Sequence, residues 1–107
     1  MKHIKNSDFK TEVLDFSGVV VADFYADWCG PCQVLSPIME ELDKHNTDQS
    51  VKFIKINVDE EQDLAALYGV MSIPTVIFFK DGKIAHQQIG MRAKEEYLDS
   101  IKKLTKS

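Results

Sequence analysis

Alternating apolar and polar positions predict five β-strands in this chain. Residues 19–26 are apolar on both alternating faces, which is typical of a strand buried between two layers. Asp81-Gly82 is a strong signal for a two-residue turn that joins two further strands into a hairpin. The predicted strands are residues 2–5, 19–26, 51–58, 75–79 and 83–89, of which the first has only a weak signal.

Two helices are predicted in the first half of the chain. The first has Ser7 or Asp8 as its N-cap and ends at Gly18. The second follows Cys29 and extends to about residue 46, with an interior proline, Pro37, that removes a backbone bond and should kink it. The apolar positions expected to face the core are Phe9, Val13 and Phe16 in the first helix and Leu35, Ile38, Met39 and Leu42 in the second.

Two more helices are predicted in the second half. Asp59 and Gln62 have the spacing of a capping box, and Gly69 closes the short helix that they open. The last helix begins at about Arg92. The positions expected to face inward are Leu64, Leu67 and Tyr68 in the short helix and Tyr97, Leu98, Ile101 and Leu104 in the last.

The order of these elements, β-α-β-α-β-α-β-β-α, predicts a single α/β domain over residues 1–107. The first half should contribute parallel strands with right-handed crossovers, and the closing hairpin must be antiparallel. We therefore expect a mixed central sheet with helices on both faces. In such sheets the reactive site lies at the carboxyl end of a central strand.

The only two cysteines, Cys29 and Cys32, stand where the buried strand ends and a helix begins. A helix N-terminus favours a thiolate, so the pKa of Cys29 should fall below its ordinary value. Cys32 lies about one turn further on and should be the better shielded of the two. One exposed, activated sulfur and one resolving sulfur are the minimum for a dithiol–disulfide cycle.

Two other uses of the cysteine pair compete with redox chemistry. A structural disulfide across a four-residue loop would stabilise the fold by only about 2 kcal/mol, so this spacing makes a poor cross-link. A closed zinc site needs four ligands, and His3, His45 and His86 do not have paired ligand spacing. We expect no metal site, and we expect all three histidines to be solvated surface groups. The spacing favours redox chemistry.

Composition narrows the choice of partners and compartment. The hydrophobic fraction of 44% and the charged fraction of 28% are typical of a globular protein. A net charge of −4 supplies no basic surface for nucleic acid or anionic lipid. No apolar run is long enough for a membrane span, and the N-terminus has no signal-peptide core. Two cysteines at redox spacing fit a reducing compartment, so a cytoplasmic location is expected.

Three residues have an ordinary structural interpretation beside a functional one. Burial of Asp23 in its strand should raise its pKa, and such a carboxyl can take a proton from Cys32; alternatively it reaches solvent or a lysine at the strand end. Trp28 alone would be interpreted as half-buried packing. Pro74 alone would be a trans turn proline.

One set of motifs extends over essentially the whole chain. The segment Asp23-Phe24-Tyr25-Ala26-Asp27-Trp28-Cys29-Gly30-Pro31-Cys32, then Pro37, Ile73-Pro74-Thr75 and Gly90, resembles the thioredoxin family. The resemblance implies a thioredoxin-like fold and a thiol–disulfide oxidoreductase that reduces protein disulfides. It implies that Cys29 attacks, that Cys32 resolves and that Asp23 exchanges the proton.

The resemblance also implies roles for residues around the cysteines. Lys55 would modulate Asp23, although a lysine whose ammonium simply reaches solvent is almost as good an interpretation. Pro74 would follow a cis peptide bond. A shallow apolar groove for the target peptide would be lined by Trp28, Gly30, Pro31, Ile73, Pro74, Gly90 and Met91.

The partners implied are disulfide-containing target proteins and an NADPH-dependent thioredoxin reductase, with the protein itself a monomer. No bound cofactor is expected beyond the redox-active Cys29–Cys32 disulfide, because the chain has no Gly-rich phosphate loop. Gln33, Met91 and Tyr25 depart from the family pattern, which affects target preference more than reaction type.

Two other functions remain open at this point. The residues between the cysteines tune the potential of the pair, so an oxidant or isomerase is an alternative, although Gly30-Pro31 favours a reductant. A non-catalytic binding module could use the same groove. Intact Cys29, Cys32 and Asp23 argue against that interpretation.

Overall fold

The computed structural model describes residues 1–106 and contains five strands and four α-helices. The first helix continues directly into one π-helical segment, Lys10–Leu14. The elements in chain order are β1 (Lys2–His3), α1 (Asn6–Phe9), β2 (Val19–Tyr25), α2 (Gly30–His45), β3 (Val51–Asn57), α3 (Gln62–Leu67), β4 (Thr75–Lys80), β5 (Lys83–Ile89) and α4 (Lys94–Thr105).

The five strands form one mixed sheet in the order β1-β3-β2-β4-β5. β3 is parallel to both β1 and β2, while β4 is antiparallel to both β2 and β5. The predicted mixture of a parallel first half and an antiparallel closing hairpin is confirmed. The central strand is β2, and all seven of its residues are buried, as its apolar run predicted.

Alternate residues of β2 point to opposite sides of the sheet, so both faces carry apolar side chains. Helices cover each of these faces. On one face Val20, Ala22 and Phe24 pack with residues of α1 and α3. On the other face Val19 and Val21 pack with residues of α2 and α4. Asp23 follows in the second series, so its side chain lies on the face covered by α2 and α4.

The predicted N-caps of the two short helices are wrong. α1 begins at Asn6, and the carboxylate of Glu61 accepts the backbone N–H of Asn6 at 2.8 Å. α3 begins at Gln62 without a side-chain cap, and Asp59 does not open it. A carboxylate from another part of the chain thus supplies the acceptor that a local cap would give α1.

Two leucines predicted to face the core are exposed. Leu67 is 71% exposed because the six-residue α3 can bury little more than Leu64 and Ala65. Leu98 is 36% exposed and lines an open groove between α4 and the end of α2. α4 begins at Lys94, two residues later than predicted.

Candidate active site

The cysteine pair joins the end of β2 to the start of α2. The backbone N–H of Cys29 donates to the carbonyl of Ala26 at 3.2 Å, which turns the chain immediately after the strand. Cys29 is the N-cap of α2, and its sulfur accepts the backbone N–H of Cys32 at 3.2 Å. This sulfur therefore lies at the positive end of a 16-residue helix, where negative charge is favoured.

Cys29 and Cys32 form a disulfide, with their Cα atoms 5.2 Å apart. Both residues are buried, with exposed fractions of 4% and 3%. The expectation that Cys29 would be exposed and Cys32 shielded is therefore wrong for this oxidised state. Both pack in one cluster with Tyr25 and Ala26, and Ile73 covers that cluster. The two sulfurs differ in their surroundings rather than in their burial.

Cys29 lies next to the backbone of Ile73 and near apolar side chains that reach the surface. Its sulfur lies 3.8 Å from the carbonyl oxygen of Ile73, and the Ile73–Pro74 peptide bond is cis. The carbonyl of Pro74 accepts the N–H of Gly90 at 2.8 Å, which ties the end of β5 to the segment that contains the cis bond. Met91, the next residue, is 42% exposed. The backbone at Ile73 thus flanks the disulfide.

Trp28 lies beside the disulfide and is 72% exposed, so it is not the half-buried packing residue that its type alone suggests. Its indole N–H donates to a carboxylate oxygen of Asp59 at 2.7 Å. This hydrogen bond holds a large apolar ring at the surface next to Cys29. It also explains why Asp59 does not cap α3.

The surroundings of Cys32 are polar. A pocket of about 140 Å³ has Cys32 and Asp23 in its wall, together with Lys55 and Tyr25. Asp23 is only 2% exposed, and its Oδ1 has no hydrogen-bond partner in the described part of the chain. Burial raises the pKa of Asp23 from 3.8 to about 6, and the nearby Lys55 ammonium limits that rise. A carboxyl that titrates near neutral pH thus shares a pocket with Cys32.

Comparison with known proteins connects this geometry to a family. The thioredoxin family model matches residues 1–103 of the chain. The thioredoxin of Bacillus subtilis is 43% identical over 103 residues, covering 96% of this chain and 98% of its own length.

The chain belongs to the thioredoxin family. The thioredoxin of Mycoplasmoides gallisepticum is 44% identical over 102 residues, covering 95% of this chain and 100% of its own length. A solved structure of a mutant thioredoxin from Halobacterium salinarum superposes with a TM-score of 0.89 at 37% identity, covering 99% of this chain and 91% of the other. The thioredoxin-like fold is therefore confirmed.

Membership of the thioredoxin family and the Cys29–Cys32 pair establish the chemistry. The protein is a thiol–disulfide oxidoreductase of the protein-disulfide reductase type. Thioredoxins as a family reduce disulfides in target proteins and are themselves reduced by a thioredoxin reductase. The redox-active group is the disulfide itself.

Three further structural findings bear on this thioredoxin fold. Residues 1–106 contain no cluster of three or more His, Cys, Asp or Glu side chains that could hold a metal ion. Within the same residues, no helix has the length and apolar character needed to cross a membrane. Gln33 contacts the active-site loop, since its amide donates to the carbonyl of Asp27 at 2.9 Å.

His3 is exposed, as expected, but sequence reasoning did not place it beside the active site. Its Nδ1 lies 3.0 Å from the hydroxyl of Tyr25, and its ring lines the pocket of Asp23 and Cys32. The contact depends on the register of β1 against β3, which apolar patterning does not reveal. The position of His3 next to the buried Ile4, in a weakly signalled edge strand, was the only available signal.

Proposed function

We propose that the chain reduces protein disulfides with Cys29 as the attacking sulfur and Cys32 as the resolving sulfur. The observation that supports this order most directly is the position of Cys29 as the N-cap of α2, where its sulfur accepts the N–H of Cys32. In the reduced protein the same donor and the helix dipole would stabilise a thiolate at Cys29. Cys32 lies inside the first turn and has no such position.

In the first step, the Cys29 thiolate attacks one sulfur of the target disulfide. The target S–S bond breaks, a mixed disulfide forms between Cys29 and the target, and the other target sulfur leaves as a thiolate. The exposed face around Trp28, Ile73 and Met91 would bind the target chain. Attack requires the target sulfur to approach along this apolar side, because the opposite side of the pair faces the polar pocket.

In the second step, Cys32 must lose its proton and attack the Cys29 sulfur. Asp23 would take that proton as its carboxylate, and the Cys32 thiolate would then break the mixed disulfide and release the target sulfur that was bound to Cys29 as a thiolate. Two electrons have passed from the dithiol to the target, and the Cys29–Cys32 disulfide remains. Asp23 is suited to this role because its pKa of about 6 lies close to the working pH. Lys55 would modulate it through charge.

The remaining residues of the motif would shape the groove. Gly30 is exposed and open above its Cα, so a target chain can approach the disulfide closely there. Pro31 is exposed at the start of α2, and Pro74 is buried beside Ile73. Gly90 and Met91 would form the far side. Met91 is exposed and adds an adaptable apolar side chain to the target contact.

The proposal also covers the partner reductase, the oligomeric state and the compartment. A thioredoxin reductase fed by NADPH would restore the dithiol, so that the protein acts in electron transport and in cell redox homeostasis. We propose that it works as one domain and as a monomer in the cytoplasm. A net charge of −4 gives it no general attraction to nucleic acid or anionic membranes, which supports protein targets.

The reductant is preferred to the oxidant because neither residue between the cysteines has a side chain that could donate to a thiolate. Gly30 has no side chain, and Pro31 has neither a side-chain donor nor a backbone N–H. A strong oxidant needs an unusually stable reduced form. Here the structure offers the N–H of Cys32 and the helix dipole as stabilising groups.

Trapping of mixed disulfides tests the assignment of the two cysteines. Cys32→Ser keeps the attacking sulfur but cannot resolve, so it should accumulate covalent adducts with a disulfide-containing protein. Cys29→Ser should form no adduct by this route and should show no turnover. Adducts would be counted by non-reducing gels and intact-mass spectrometry.

The double variant Cys29→Ser/Cys32→Ser is the control for non-covalent carry-over, and it should give no adduct. If Cys29→Ser retained disulfide reductase activity, or if adducts formed on Cys32 alone, the proposed order of attack would be wrong.

A further inference from the structure

Three ionisable side chains stand in a row across the sheet beside the active site. In the strand register, Asp23 of β2 is paired with Lys55 of β3, and Lys55 is paired with His3 of β1. Side chains at paired positions point to the same face of a sheet. Asp23, Lys55 and His3 therefore lie side by side on the face covered by α2.

The pocket that contains Asp23 reaches the surface among its exposed lining residues, which are His3, Asp27 and Gln33. Asp23 is 2% exposed and Cys32 is 3% exposed, whereas His3 is exposed, and all three line the same space of about 140 Å³. A proton that leaves Cys32 for Asp23 must eventually reach water. Since Asp23 is itself almost completely enclosed, this pocket is the path that the structure offers.

Tyr25 holds His3 at the open side of the pocket. The hydroxyl of Tyr25 lies 3.0 Å from Nδ1 of His3, and the two rings meet edge to face at 6.0 Å. The ammonium of Lys55 lies 4.6 Å from the centre of the same tyrosine ring. A neutral His3 can accept a hydrogen bond from the tyrosine hydroxyl at Nδ1, and a protonated His3 can donate one to the tyrosine oxygen. The contact therefore persists in both charge states.

The charged and titratable groups around His3 come from several elements. β3 contributes Lys55, β2 contributes Asp23 and Tyr25, the loop after β2 contributes Asp27, and α2 contributes Cys32. The N-terminal ammonium, two residues before His3, is paired with Glu40 and Asp43 of α2. Glu60 acts on Tyr25 through its charge. Within this set, histidine is the side-chain type that ordinarily changes charge between about pH 5 and pH 8.

We propose that His3 is a positioning residue for Asp23: held by Tyr25 at the open side of the pocket, its imidazole adds a positive charge to the row when it is protonated and so sets how readily Asp23 takes up and releases the proton of Cys32. A protonated His3 adds a second cation to the row and favours the carboxylate of Asp23. A neutral His3 favours its protonated form. The inference rests on the proposed role of Asp23 as proton acceptor.

The test is an NMR titration of the side-chain carboxyl carbon of Asp23 in the reduced protein, followed from about pH 4 to about pH 9, which spans the range where histidine titrates. His3→Gln removes the imidazole and keeps a polar group beside Tyr25. His3→Lys makes the charge permanent. His86→Gln is the matched control, because the same change is made on β5 at the opposite edge of the sheet.

We expect the midpoint of Asp23 to rise in His3→Gln and to fall in His3→Lys, because a nearby cation favours the carboxylate. The pH profile of target release from the Cys29 mixed disulfide should move in parallel. The His86→Gln curve should match the wild type.

Wild-type midpoints in both folded His3 variants, checked by circular dichroism, would overturn the inference. Its failure can be told apart from failure of the proposed role of Asp23. If Asp23→Asn released targets at the wild-type rate, that role would be wrong whatever the His3 variants did. If Asp23→Asn were slow and the His3 variants had wild-type titrations, only the inference about His3 would fall.

Discussion

Replacement of Asp23 by asparagine should make the stability of the oxidised protein less dependent on pH. Asp23 is 2% exposed, and burial raises its pKa from 3.8 to about 6. In the unfolded chain the carboxyl titrates at its ordinary value. Between these two pKa values the folded protein binds more protons than the unfolded chain, so the free energy of unfolding falls as the pH rises.

The size of the effect follows from the gap between the two pKa values. That gap is about two pKa units, and each unit corresponds to about 1.4 kcal/mol. Ionised Asp23 therefore costs the fold about 3 kcal/mol above pH 6, and it costs almost nothing below about pH 3.8. The asparagine side chain does not titrate, so the stability of Asp23→Asn relative to wild type should increase by about 3 kcal/mol across this range.

Urea unfolding of the oxidised proteins at a series of pH values measures this difference by linear extrapolation. Asp27→Asn is the control, because it removes an exposed carboxyl from the rim of the same pocket, where solvent screens the charge. Its stability should follow the wild type at all pH values. A constant difference between wild type and Asp23→Asn, or a difference that shrinks as the pH rises, would refute the reasoning.

The remaining predictions concern the charge of Lys55 and the backbone conformation at Gly69 and Gly82. Lys55→Met removes the cation that limits the pKa of Asp23, so that pKa should rise above about 6, as measured by NMR titration. Gly69 has a φ of +65° with open space above its Cα, so Gly69→Ala should cost about 1 kcal/mol in urea unfolding. Gly82→Ala should cost more, since a Cβ would also lie 2.3 Å from the carbonyl oxygen of Leu14. Equal costs at the two glycines, or an unchanged titration of Asp23, would contradict these expectations.

The strands could be predicted because each depends mainly on its own residues. The apolar run that ends at Tyr25 became a strand buried on both faces, and Asp81-Gly82 became a turn in which both residues have positive φ, at +51° and +82°. Such features are local, since the alternation of side chains and the strong turn signal lie within a few consecutive positions. The position of the cysteine pair at a strand–helix junction followed from the same patterns.

The helix ends were harder to predict because their partners lie elsewhere in the chain. Glu61 satisfies the N–H of Asn6 across 55 positions of sequence, and Asp59 accepts from Trp28 instead of capping α3. A local capping pattern cannot reveal such acceptors. The exposed Trp28 was likewise expected only from the family resemblance, because residue type alone favours partial burial.

The row of Asp23, Lys55 and His3 could not be predicted from patterning. It requires three strands that are distant in sequence to adopt one order and one register. Apolar alternation restricts which face a residue occupies, but it does not say which residues of neighbouring strands stand opposite each other. The antiparallel pairing of β4 with β2 was missed for the same reason.

The reduction potential of the Cys29–Cys32 couple tests the central claim most directly. The protein would be equilibrated with a series of defined thiol–disulfide buffers, and its two states would be separated after alkylation. We predict one reversible two-electron couple that is more reducing than the glutathione pool, as expected for a general reductant of protein disulfides. A couple markedly more oxidising than glutathione, or cysteines that do not cycle at all, would contradict the account.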